Sequence, residues 1–141
     1  MDKVSRYTPP ISDQRFLLEH VLGCPALLKL PAYNHVDWST VTHVLDQAGR
    51  LASDILAPIN ATGDEHPSRL TGGRVITSPG YVDAYRAFAQ GGWIGLDMPV
   101  EHGGQGLPLV VQNAFAEMGN GACVAFGMLP AAARSRRARR P

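Results

Sequence analysis

The sequence predicts an all-α fold, a bundle of four to six helices joined by Gly/Pro-rich loops, and three observations carry that reading. Apolar residues recur at spacings of three and four over long stretches, most clearly from Trp38 to Leu56. Alternation with a period of two is scarce. Many of the 15 glycines and 11 prolines fall at the ends of the periodic stretches, where they act as stops and turns.

Each element follows from local signals. Thr8-Pro9-Pro10 favours an extended lead-in, and Ser12 offers an N-cap to a helix over 13–22, with Phe16, Leu17, Val21 and Leu22 near one face. Gly23 stops it, and Pro25 and Pro31 bracket a short turn at 26–30 that is compatible with a helix. Asp37 is placed to cap the amphipathic helix 38–56, and Pro58 closes that helix because the residue before a proline is pushed out of the α region. The polar, turn-rich stretch from Asn60 to Gly73 reads as a surface loop with Arg74–Thr77 extended beside it. Ser78-Pro79 supplies an N-cap and a first-turn proline for a helix over 79–90, which Gly91-Gly92 ends. After a loop through Gly106, Leu107-Pro108 opens a helix burying Leu109, Val110, Val111, Ala114, Phe115 and Met118. Gly119-Asn120-Gly121 breaks it, and a last helix over 122–129 runs into Pro130.

Composition narrows the function. A chain of 141 residues accommodates one ordinary domain and not a second. No apolar run approaches the roughly 18–20 residues of a membrane span, and Met1–Arg6 lacks the apolar core of a signal peptide, so a cytoplasmic location is expected. Cys24 and Cys123 stand far apart, outside any CxxC pattern, and read as two small buried thiols. The net charge of +1 conceals a division: residues 1–133 hold eight basic and twelve acidic side chains, while Arg134, Arg136, Arg137, Arg139 and Arg140 crowd the end. With no aromatic or glycine residues among those arginines and an acidic body before them, nucleic acid is not the expected partner.

Residue patterns that usually carry chemistry are sparse. Gly103-Gly104-Gln105-Gly106 has neither GK[ST] nor a preceding βαβ strand, and reads as a tight turn between helices rather than a phosphate cradle. His20, His35, His43, His66 and His102 make no HExxH and no i, i+4 ligand pair, so no metal is expected. Trp38, Tyr81, Tyr85 and Phe88 read as core, and no nucleophile elbow or carboxylate pair emerges.

One stretch is more specific. Gly91-Gly92-Trp93-Ile94-Gly95-Leu96-Asp97-Met98-Pro99-Val100-Glu101-His102-Gly103-Gly104-Gln105-Gly106-Leu107-Pro108 resembles the GW.GL..P.E.GG.GLP pattern of the acyl-CoA dehydrogenase family, and Glu117-Met118 with 122–130 is similar to the segment that follows it. Tyr7–Phe16 and the 56–64 turn resemble the longer branch of the family, that of the methylmercaptopropionyl-CoA dehydrogenase-like enzymes. The resemblance implies the family's N-terminal helical domain, here over 38–130, preceded by an extension with a short helix over 1–37. An Ala/Arg-rich tail follows over 131–141, where the likeness ends, and it reads as disordered or non-native sequence on a truncated dehydrogenase. Full-length relatives use FAD to oxidise an acyl-CoA thioester to its trans-2-enoyl form. By the same resemblance this chain lacks the flavin and catalytic-base domains, binds no cofactor alone, holds no catalytic residue, and lines the acyl pocket with Phe126 and Pro130. Its expected partners are the acyl-CoA substrate of the full enzyme and either further copies of itself or a flavin-domain partner. The alternative is a standalone helical interaction module that pairs with separately encoded flavin domains.

Overall fold

A computed structural model describes the backbone over residues 7–137 and the side chains through Ala131. The arginine-rich tail expected at the C-terminus lies outside the described residues, apart from a helical backbone drawn to Arg137. The architecture is mostly helical, with one small hairpin. In order come α1 (Ile11–Phe16) continued by a π-helical turn (Leu17–Val21), α2 (Cys24–Leu27), a 3-10 turn (Pro31–Tyr33), and α3 (Trp38–Arg50) continued by a second π-helical stretch (Leu51–Leu56). Then follow α4 (Ala57–Glu65), an antiparallel hairpin of β1 (Arg69–Thr71) and β2 (Arg74–Ile76), α5 (Tyr81–Gln90), 3-10 turns at Trp93–Gly95 and Val100–His102, and α6 (Leu109–Arg137).

The core is the face that the 38–56 periodicity marks. Val41, Leu45, Ala48, Ala52 and Leu56 are buried along α3 and its π-helical continuation, and they meet Val111, Phe115, Met118 and Phe126 of α6. Asp37 caps α3 as expected, its carboxylate accepting the Thr40 N–H at 2.7 Å. Both cysteines are buried.

Five boundaries depart from the sequence reading. The first helix starts at Ile11, with Pro10 turning the chain so that the Gln14 N–H reaches the Pro10 carbonyl, which puts Ser12 inside the helix and not at its cap. Its apolar residues Phe16, Leu17, Val21 and Leu22 are exposed, and the core is met by Leu18 and by Gln14. The Gln14 amide donates to the Ala114 carbonyl at 3.0 Å and to Glu117 at 3.2 Å, which pins α1 to α6. Pro58 does not end the long helix. The i→i+5 spacing of the π-helical stretch lets the axis continue past a residue with no N–H, and α4 carries on through residues expected in a loop.

Ser78-Pro79 does not open α5. Ser78-Pro79-Gly80-Tyr81 forms a type II turn, with proline second, Gly80 third at φ 83° and the Tyr81 N–H directed at the Ser78 carbonyl, so the helix begins at Tyr81. Gly119-Asn120-Gly121 does not break α6. The break falls two residues later: the helix passes through these residues, with Gly119 buried near Leu56, and is interrupted at Cys123, whose backbone is non-helical (φ −158°, ψ 90°), beyond which a second helical limb runs on past Pro130.

Candidate functional site

The bend in α6 creates the site. Two helical limbs diverge on either side of the non-helical Cys123, and between them, bounded by α5 and the Trp93–Gly95 turn, lies a cavity of about 290 Å³. Phe126 and Pro130, on the far limb, line it together. They stand one helical turn apart, and Pro130 has no N–H to give to the Phe126 carbonyl. Phe126 is 1% exposed and also belongs to the core.

The wall is aromatic. Trp93 stacks on Phe115 with ring centroids 4.8 Å apart and planes 20° from parallel, and Phe88 meets Phe126 edge-on at 5.7 Å. Gly91-Gly92 makes this possible by ending α5: Gly92, at φ 71°, turns the chain so that Trp93 packs back under the helix it has just left. Behind Phe126, the Tyr81 ring lies 6.1 Å away and its hydroxyl is 3.5 Å from Cys123 Sγ at the bend. Burial first, and then the hydrogen bond and charge of Cys123, push the Tyr81 hydroxyl up to about 12.

One polar side chain sits deep in this wall. Gln112 is 7% exposed, and its Oε1 is shut from solvent with no hydrogen-bond partner among the described residues. Asn113 and Asn120, by contrast, are exposed at the rim. Gln112 neighbours Val111, Ala114 and Phe115 on the helix, and in the sequence only its polarity beside that apolar stripe signals its position. Trp93 and Phe88 belong both to the core and to the cavity wall.

The glycine loop has a different job. Gly103 donates to Val100, Gly104 to Pro99, Gln105 to Gly95, Gly106 to Met98 and Leu107 to Leu96, all between 2.8 and 3.0 Å. Every N–H of the loop is taken internally, so it offers no free amides to a phosphate. A second cavity, about 430 Å³, lies beside this loop and has His35, Asp97 and Glu101 among its lining residues. Among the described residues no three His, Cys, Asp or Glu side chains come together around a metal-sized site, and no helix is long and apolar enough to cross a membrane.

No protein-family model matches the chain. It is 37% identical over 124 residues to the 3-methylmercaptopropionyl-CoA dehydrogenase of Ruegeria pomeroyi, an alignment that takes in 88% of this chain and 21% of that enzyme.

Proposed function

We propose, from the premise that this chain belongs to the acyl-CoA dehydrogenase family, that it is the N-terminal helical part of an FAD-dependent enzyme that oxidises acyl-CoA thioesters. In this reading the cavity at the bend of α6 receives the acyl group, with Phe126 and Pro130 in its wall. The sequence relationship carries the reading. An aromatic cavity of about 290 Å³ at those two residues supports it, since that is room for one arm of a ligand and not for a whole dinucleotide or coenzyme.

The residues of this chain do not fit a flavin site. Its glycine loop has spent its amides, and the cavity wall is apolar apart from Gln112 and the rim asparagines. In this reading the flavin and the catalytic base belong to parts of the dehydrogenase other than the 21% that this chain matches, the chain alone is inactive, and the complete enzyme works in the cytoplasm. Co-expression with the remaining segment of the Ruegeria enzyme tests this. The expected product is a yellow complex that turns over 3-methylmercaptopropionyl-CoA with an artificial electron acceptor, while the chain alone holds no flavin and shows no turnover. Flavin and turnover with the chain alone would overturn the reading.

A second arrangement, a helical module pairing with separately encoded flavin domains, is favoured by the exposed apolar face of α1 and its π-helical continuation. Co-purification of the chain with such a protein from its own cells supports it, and a single reading frame continuing into flavin-domain sequence removes it.

A further inference from the structure

The interruption of α6 falls on one buried residue. Cys123 is 1% exposed, and its backbone is extended (φ −158°, ψ 90°) between two helical limbs. The local sequence does not demand this: residues 122–125 include no proline or glycine, and Pro130 comes well after them. What meets Cys123 from outside its own helix is Tyr81, the first residue of α5. The Tyr81 hydroxyl lies 3.5 Å from Cys123 Sγ, a hydrogen bond to sulfur, and its ring lies 6.1 Å from that of Phe126 on the far limb. α4 makes room for that hydroxyl. Gly63 stands inside α4, where glycine is a less favourable choice than alanine, and a Cβ there would come within 2.5 Å of the Tyr81 oxygen. The bare α-carbon is thus the seat on which the hydroxyl rests, with Cys123 on its other side.

We propose that Tyr81 is a positioning residue for the cavity at the bend of α6: its hydroxyl, seated on Gly63, holds Cys123 in its non-helical conformation and so sets where the far limb places Phe126 and Pro130. This rests on the reading of the cavity as the acyl site and adds to it a residue outside the cavity wall. Tyr81 acts through Cys123 and touches no ligand. Without the hydroxyl, α6 is free to continue as a regular helix through residue 123, which swings the far limb and reshapes the wall that Phe126 and Pro130 supply.

The test uses the full chain labelled with ¹³C and ¹⁵N, and butyl methyl sulfide as a probe of the cavity. The Cα chemical shift of residue 123 reports extended or helical backbone, and the Trp93 indole N–H resonance reports entry of the probe. In the parent, residue 123 is expected to give an extended shift and the probe to move Trp93. Tyr81→Phe and Cys123→Ala are each expected to move the residue-123 shift toward the helical value. Each should also weaken the probe about three-fold, a low value for one hydrogen bond because sulfur is a weak partner. The double variant should lose no more than either single one, since both remove the same contact. Gly63→Ala keeps both partners but puts a methyl where the hydroxyl sits, so it should reproduce the loss and add nothing to Tyr81→Phe. Cys123→Ser, which keeps a partner for the hydroxyl, should retain the parent shift and affinity. An unchanged shift or an unchanged affinity in Tyr81→Phe, or losses that add in the double variant, overturns the positioning role and leaves the cavity as an acyl site. A probe that fails to move Trp93 in the parent overturns the acyl-site reading, while the carbon shifts still decide whether Tyr81 sets the bend. Should Cys123→Ala not fold, Tyr81→Phe and Gly63→Ala complete the same cycle.

Discussion

At Asp37 the carboxylate takes two hydrogen bonds from Thr40, one from its backbone N–H and one from its hydroxyl, each at 2.7 Å. The hydroxyl bond first, and the N–H bond second, hold the Asp37 carboxyl below its usual 3.8. A lowered folded-state value means that the folded chain holds the proton less tightly than the unfolded one. The stabilisation is then complete above about pH 4 and is lost as pH falls through the folded-state value. Asp37→Asn keeps an N-cap acceptor without a titrating group, so its thermal midpoint is expected to stay near that of the parent at neutral pH and to fall less on acidification, measured by circular dichroism from pH 7 to pH 2. Tyr81 has the opposite sign. Its hydroxyl is raised from 10.0 to about 12, so the folded state favours the protonated form, stability is full below pH 10, and it declines as pH rises from 10 through 12. Tyr81→Phe is expected to make that alkaline decline shallower, with Tyr7 left to titrate, its hydroxyl raised by burial and then by the charge of Glu117. Gly104 is a matter of space. A Cβ there would overlap the Met98 backbone carbonyl, which is itself held by the Gly106 N–H, so neither partner can yield. Gly104→Ala is expected to cost about 3 kcal/mol in urea unfolding, at the upper end of overpacking penalties.

At the scale of elements, the sequence is most legible where one signal acts alone. The three-and-four spacing of 38–56 and the Asp37 cap predict α3 correctly, because nothing in the tertiary structure competes with them. Pro58, Ser78-Pro79 and Gly119-Asn120-Gly121 mislead for a shared reason: each is a local boundary signal that the surrounding packing or backbone geometry overrides or shifts. A π-helical stretch re-spaces the hydrogen bonds ahead of Pro58, Gly80 claims Pro79 for a turn, and the helix holding the buried Gly119 runs two residues beyond Gly121 before it is interrupted at Cys123. The cavity follows from the last of these. With α6 continuous through Gly121 and bent at Cys123, Phe126 and Pro130 come to face Trp93 and Gln112, an arrangement that no pattern of apolar residues encodes. The hairpin is a contrasting case. Gly72 and Gly73, at φ 57° and 75°, make the two-residue turn that its twist requires, yet every residue of both strands is exposed and pairs only with the other strand. A two-stranded hairpin with no buried face is marginal in water. Hydrogen–deuterium exchange is expected to empty the amides of residues 69–76 within the first time points while those of 41–52 persist, and equal protection would show that the hairpin is docked.

For the whole molecule, the decisive observation is where its apolar surface goes. α1 and the turn that continues it present Phe16, Leu17, Val21 and Leu22 outward, and the far limb of α6 presents Val124, Met128 and Leu129, with Met128 70% exposed. On each element these residues recur at helical spacing, Leu17 with Val21 and Val124 with Met128, so each makes a stripe and not a scatter. Stripes of this kind mark surfaces that are covered in the assembled state. The match to 21% of a larger enzyme is consistent with such a covering. The isolated chain should therefore associate with itself through these stripes. Sedimentation velocity is expected to show a weight-average mass that rises with concentration above the 15.1 kDa monomer, together with strong binding of a hydrophobic dye. Replacing Val124 and Met128 together by glutamate introduces charge on an exposed stripe and removes no buried contact, so helix content and thermal midpoint should stay close to those of the parent while dye binding and mass both fall. A monomeric parent that binds no dye, or a double variant that associates as strongly as the parent, would show that these stripes are ordinary solvent-facing surface and that the chain is self-sufficient as it stands.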